Sequence, residues 1–403
     1  MVDSLAQIWY NESHEKYVKD HVGGEVVLAV IVLRQMGMKV TLAIAAFILT
    51  VGAVRADAAD SSCVVSLNEA GAADWMRGKV GVMVHWLYPS YGDADRWADV
   101  FDAKAFLADF ERTEAEWLIF TAGQCRGVYC SPSEALDAYC GPGHTTKRDI
   151  LSEVARGVKS LGRRFIVYSA VDFVKDGCYD HSMQRGLCWY TNSSDRAEFQ
   201  RRWTTVLGGW ARRLGSDVDG WWLDGAGAKE YPGGIDVPLW EKALREGNPK
   251  VAWAFNKGVY EPSWAYGSQY TAGEICDFRS LPRDGVRPVP PPGIVRHYLF
   301  PMDGYWGAFW VWPSFSRKFV AFRDSRPDLF DKELMARRLE RREFPEPVYT
   351  AAELRVFLDG ARRRGEAVTI NIGVSPEGRL NPMSVELLRS IGLNHKHQPG
   401  GEK

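Results

Sequence analysis

From Lys79 to Ile391, short apolar runs alternate with stretches whose apolar residues return at helical spacing. Lys79–Trp86, Glu116–Thr121, Arg164–Ser169, Val218–Asp224 and Val251–Asn256 read as buried strands, because they are nearly continuous in apolar residues. Tyr270–Phe278 and Arg296–Met302 are weaker runs that supply a sixth and a seventh strand, and Glu366–Gly373 supplies an eighth. Between them, Ala103–Arg112, Asp149–Leu161, Arg196–Leu214, Val237–Arg245, Ala351–Arg364 and Ser384–Ile391 read as helices. In the second of these Ile150, Leu151, Val154 and Val158 share one face. The stretch Asp303–Pro347 breaks the alternation with Pro-rich and charged patches and reads as an insertion.

Strands alternating with helices imply a parallel sheet. Eight such units fit an α/β fold of the (β/α)₈ TIM-barrel type in a single catalytic domain. A doubly wound open sheet would want a Gly-rich phosphate loop after an early strand, and Asp224–Gly227 offers only a lone GxG. The barrel is expected over residues 59–395, with a short tail over 396–403.

The N-terminal 58 residues stand apart. Met38-Lys39 precedes an apolar run, Val40–Val54, and then Ala56-Asp57-Ala58, which together describe a secretory signal peptide cut after Ala58. The polar stretch before it suggests that translation starts at Met36 or Met38. The run is short for a spanning helix, so no stable membrane insertion is expected after cleavage, and the mature protein is expected to be secreted or periplasmic. Export permits disulfides among the seven cysteines (63, 125, 130, 140, 178, 188 and 276). Cys130 with Cys140, and Cys178 with Cys188, bracket short loops as plausible staples, and the odd count leaves a thiol over. Asn192-Ser193-Ser194 matches a glycosylation sequon.

Charge narrows the partners. With 50 basic and 51 acidic side chains and a net charge of -1, neither nucleic acid nor a membrane surface is expected. No CxxC or HxxxH spacing marks a metal site, and no cofactor is expected. The 16 Trp point toward flat apolar ligands such as sugar rings, although a large barrel also uses Trp as filler.

Active-site groups of such barrels sit where strands end. The polar residues there are His85, Gln124, Asp172, Asp224, Asn256, Glu274, Asp303 and Asn371. Asp224, after Trp221-Trp222-Leu223, is partly desolvated and aimed into the mouth, which suits a nucleophile. Retaining glycosidases pair such a group with a second carboxyl about 5–5.5 Å away. Glu274 is favoured for that acid role over Asp277 and Asp303. His85 beside Trp86 suggests a hydroxyl ligand next to a stacking platform, and Gln124, Asp172, Asn256, Asp303 and Trp306 are further substrate-binding candidates. Trp221, Trp222, Trp253, Trp306 and Trp310 cannot all face the pocket, because alternate strand residues face the helices. Trp222 shares the parity of Asp224 and is expected on the same side.

These residues resemble a known family. Gly81–Trp86 resembles the G-[ILV]-F-[ILV]-H-W-G strand of the α-L-fucosidases of glycoside hydrolase family 29. Ala103–Phe110, Thr121-Ala122, Gly127, Ser131-Pro132-Ser133 and Lys147-Arg148-Asp149 follow in that family's order, and Tyr168-Ser169 falls at its Y-Y-S. Asp219–Gly225 is similar to its W-F-D-G segment, which carries the nucleophile onto Asp224. Ile370–Gly373 with Pro376-Glu377-Gly378 is similar to its closing strand and loop. The resemblance spans Trp75 to Gly392. Two departures bear on specificity: the family's K-H-H-D-G-F reads Gly123–Val128 here, without the paired histidines, and its N-D-R reads Asn256-Lys257-Gly258. The family's C-terminal β-sandwich is not expected.

The resemblance implies a secreted retaining exo-glycosidase releasing fucose or a related sugar from an oligosaccharide or glycoconjugate. The competing reading is a carbohydrate-binding barrel without catalysis. A second carboxylate within reach of Asp224 separates the two.

Overall fold

Seven parallel strands form one curled sheet in the order β5-β4-β3-β2-β1-β7-β6. They are β1 (Val80–Val84), β2 (Trp117–Gly123), β3 (Arg164–Ala170), β4 (Gly220–Asp224), β5 (Ala252–Asn256), β6 (His297–Pro301) and β7 (Ala367–Asn371). The computed structural model describes residues 71–89, 91–124, 127–173, 181–189, 196–259, 266–281, 289–303, 306, 331–341 and 343–393. The candidate start codons, the signal segment, the sequon, Cys63, Cys125, Cys178, Trp310 and the tail lie outside these residues. Among the described residues no helix is long and apolar enough to cross a membrane.

The helices pack outside the sheet. They are α1 (Ala94–Val100), α2 (Ala103–Arg112), α3 (Glu134–Cys140), α4 (Ile150–Ser160), α5 (His181–Gly186), α6 (Ala197–Leu214), α7 (Val237–Leu244), α8 (Lys332–Arg341), α9 (Ala351–Arg363) and α10 (Pro382–Ile391). Their starts are chemically marked. Asp102 and Asp149 accept the backbone N–H of Ala105 and Ser152, and Thr350 with Glu353 forms a capping box on α9. Each cap satisfies an N–H that the first helical turn leaves unpaired. Four short helices, α1, α3, α5 and α8, were not expected from the pattern; the first three span two turns or fewer, too short for a period to show, and α8 lies inside the expected insertion.

Alternation along the strands divides the core in two. Val82, Phe120, Val167, Trp221, Leu223, Trp253, Phe255 and Ile370 pack outward under the helices. Met83, Trp117, Ile119, Ile166, Tyr168, Trp222, Ala254 and Leu299 fill the interior of the curl. Gly81 belongs to this inner set and leaves room for an indole: a Cβ there would lie 2.1 Å from Trp117 Nε1. At the N-terminal end of the interior, Trp117 donates to Thr369 Oγ1 at 2.8 Å, and His297 Nε2 meets the same oxygen at 2.7 Å.

The sixth expected strand is a correction. Tyr270–Phe278 forms no strand; Tyr270 and Glu274 make only isolated parallel bridges to Val295 and Leu299. Side chains replace the ladder. Gln269 Oε1 accepts Trp253 N–H, Ser268 Oγ accepts Phe255 N–H, and Thr271 Oγ1 accepts His297 N–H. Gln269 N–H still reaches Trp253 O, and Leu299 N–H reaches Gly273 O. The segment is thus bonded to β5 on one side and β6 on the other. Its polar side chains compete with regular pairing, which is why the apolar pattern there was weak.

The Cys130–Cys140 staple is also corrected. Cys130 is a buried thiol directed at Thr121 O (3.6 Å), and Cys140 Sγ points to Met183 O (3.8 Å). Helix α3 carries Cys140 away toward α5 instead of back to the strand end.

Candidate active site

Strand register sets the first part of the site. Asp224 stands at the C-terminal end of β4, level with Ala170 of β3 and Asn256 of β5. Both Asp224 and Asn256 have interior parity, so their side chains meet inside the mouth. Gly225 follows at φ +86°, and a Cβ there would lie 2.3 Å from Asp172 Cγ, so glycine lets the loop turn close against Asp172.

Asp224 accepts from three neutral side chains. Tyr168 Oη donates to Oδ2 at 2.6 Å, Gln124 Nε2 reaches the same oxygen at 3.4 Å, and Asn256 Nδ2 donates to Oδ1 at 2.8 Å. Asp224 is half-buried, the one residue of β4 that is not fully buried. Burial pushes the Asp224 carboxyl above the usual aspartate value, while the Tyr168 hydroxyl, the Asn256 amide and the Gly225 N–H pull it back.

The second carboxyl comes from the irregular segment between β5 and β6. Asn256 Nδ2 also donates to Glu274 Oε2, at 2.5 Å. One nitrogen therefore touches both carboxyl groups, and the two oxygens are no farther apart than these two bonds laid end to end. Glycosidases of either stereochemistry need two carboxyl groups across the scissile bond, and this contact supplies the second one next to Asp224. Asp277 is engaged elsewhere, fully buried in a bidentate pair with Arg279 and bonded to Tyr349 Oη.

His85 forms the opposite wall. Asn371 Nδ2 donates to His85 Nδ1 at 2.9 Å, so the neutral ring carries its hydrogen on Nε2. Burial lowers the imidazole to about 3, which keeps it uncharged at any ordinary pH. Its ring lies edge-on to Tyr168 (5.1 Å) and to Trp306 (6.0 Å). Trp222 faces the interior as its parity required, stacked on Tyr168 at 5.2 Å and donating to Ala272 O. It is a floor beneath the carboxylates and exposes only 2% of its surface.

The structure thus brings together Asp224, Glu274, Gln124, Asn256, His85 and Trp306, with Trp222 below and Asp172 beside Gly225. Two expected residues lie elsewhere. Trp86 points outward, fully buried against Phe101 (4.9 Å), with its N–H on Pro376 O, so it offers no face to a sugar. Asp303 is fully buried and accepts from Gly373 N, Asn381 Nδ2 and Ser384 Oγ. It ties the loop after β7 and the start of α10, and its complete burial presents no surface to a ligand. Tyr168 was missed as a site residue, although its interior parity at the end of β3 is the same signal that marked Trp222. Among the described residues no three His, Cys, Asp or Glu side chains gather as a metal-ligand set.

No family model matches the sequence, and no curated protein matches it. Solved structures do. A variant of the endo-fucoidan hydrolase MfFcnA4, of glycoside hydrolase family 107, aligns over 81% of this chain and 54% of its own at 14% identity, with a TM-score of 0.58. The chain therefore spans about half the length of that neighbour. The family 107 endo-fucoidan hydrolase P5AFcnA aligns over 79% of this chain and 92% of its own at 15% identity and a TM-score of 0.57. An α-L-fucosidase, isoenzyme 1 of Paenibacillus thiaminolyticus, aligns over 80% and 74% at 15% identity and 0.51. At such identities the likeness concerns the fold: the curled parallel sheet with its outer helices is one that fucosidase-like glycoside hydrolases share.

Proposed function

We propose that this protein is a secreted retaining glycoside hydrolase that releases a terminal fucosyl or closely related unit from oligosaccharide or glycoconjugate substrates. Asp224 is the nucleophile and Glu274 the general acid and base. In this reading the segment Gln269–Ile275 takes the eighth place in the sheet and completes a barrel. The observation that carries the proposal is the single Asn256 amide in contact with both carboxyl groups, which supports a retaining pair because it brings a second carboxyl beside Asp224. His85 Nε2–H is available to a sugar hydroxyl, and the Trp306 ring lies beside it. The fold neighbours are named for fucoidan and fucoside hydrolysis, which supports a fucose-type sugar. A binding barrel without catalysis would need no second carboxyl beside Asp224, and this favours the enzyme over that alternative.

The test is hydrolysis of aryl fucosides, galactosides, arabinosides, xylosides and glucosides by the full chain. One glycoside is expected to turn over with net retention at the anomeric carbon. Asp224→Ala is expected to lower that rate by roughly a thousandfold or more. Glu274→Gln should slow poor leaving groups far more than activated ones, because only the former need a proton. Inversion of configuration, or full activity in Asp224→Ala, would overturn the assignment.

A further inference from the structure

We propose that Asn256 is a positioning residue whose one side-chain amide is shared between nucleophile and acid, and whose bond to Glu274 becomes the stronger of the two when Asp224 becomes a glycosyl ester. The proposal rests on the roles given above to the two carboxyl groups. Its basis is geometric. Asn256 is completely buried, is level with Asp224 in the β4–β5 register, and spends both hydrogens of Nδ2 on carboxylate oxygens. Its own Oδ1 accepts Gly258 N–H (3.2 Å), which orients the side-chain amide, and its main-chain oxygen accepts Ala226 N–H (2.7 Å), which ties the backbone beside it.

One consequence follows for the two steps of the reaction. In the first step an Asp224 oxygen bonds to the anomeric carbon, the bond to the leaving oxygen breaks, and that oxygen takes the Glu274 proton. Asp224 is then an ester, whose oxygens are weaker acceptors than a carboxylate. The Asn256 amide now serves Glu274, which has become a carboxylate and must accept a proton from water. Water bonds to the anomeric carbon, the ester bond breaks with its electron pair returning to Asp224, and the water proton passes to Glu274. The same side chain thus supports whichever carboxyl carries the charge.

Asn256→Ala and Asn256→Ser test this in the full chain, with folding checked by thermal melts. Titration of the carboxyl carbons by NMR requires no turnover: Asp224 is expected to titrate about one pH unit higher in either variant that folds, as loss of a hydrogen bond to a charged group requires. With an activated aryl glycoside, kcat is expected to fall roughly tenfold or more while kcat/KM falls less, because the second step becomes limiting. An Asp224 titration identical to wild type in a folded variant, or equal losses in kcat and kcat/KM, would overturn the proposal. A shifted titration in a protein that hydrolyses no glycoside would remove the glycosidase reading and leave the shared amide standing.

Discussion

Replacing Tyr168 by Phe isolates one hydrogen bond at the heart of the site. The ring would keep its stack on Trp222 and its edge contact with His85, so only the hydroxyl donating to Asp224 Oδ2 at 2.6 Å is lost. That hydroxyl is the leading group that opposes the upward push of burial on Asp224. A hydrogen bond to a charged group is worth about 1.5–3 kcal/mol, and about 1.4 kcal/mol corresponds to one pH unit. Part of the loss is recovered because Gln124 and Asn256 remain as donors. The acidic limb of kcat/KM, which reports the free enzyme, is therefore expected to move up by about one unit. At a pH on that limb the variant would be roughly tenfold slower, while above it the rate would return toward wild type. The assay is a pH–rate profile of both proteins on the same aryl glycoside, with melts to establish equal folding. An unmoved acidic limb would refute the reasoning, since Asp224 would then not be the ionisation that limits the rate.

Acid should also destabilise the fold itself. His85 and His297 are buried and lowered to about 3 and about 4, whereas both titrate near 6.5 when unfolded. Between those limits only the unfolded chain takes up the protons, so stability falls as pH drops from 6.5 toward 4, by about 2 kcal/mol per histidine at pH 5. Urea midpoints at pH 7 and pH 5 measure this, and His297→Gln is expected to reduce the difference. Asp303→Ala should cost about 3 kcal/mol, because Gly373 N, Asn381 and Ser384 lose a buried acceptor. The same variant should leave KM unchanged if Asp303 is a loop tie, and a raised KM in a folded Asp303→Ala protein would return that residue to the substrate.

Where backbone hydrogen bonding is regular, apolar pattern sufficed. β3, β4 and β5 fall at or within two residues of their expected bounds, and α2 at the expected ones, because each buries an uninterrupted face. Parity alone placed Trp222 inside and would have placed Tyr168. It also separates His85 from Trp86, which being adjacent must face opposite sides of the sheet, so the paired reading of these two residues was flawed in principle. The sixth strand failed for a different reason. Gln269, Ser268 and Thr271 mimic main-chain donors and acceptors with side-chain atoms, and no periodicity encodes that. Asp303 misled because a polar residue at a strand end can serve either a ligand or a loop, and only its three local donors decide.

The two carboxylates are anchored unequally, and this bears on how such a site changes over generations. Asp224 sits in a full ladder, where inserting one residue would turn every neighbouring side chain to the other face. Glu274 rides on a seam stitched by a few bridges and by side chains of its own. Side chains can be exchanged along that seam while the β4–β5 and β6–β7 ladders keep their register. In the roles proposed above, the acid side of the mouth is thus open to refitting for new leaving groups, while the nucleophile stays where the sheet puts it.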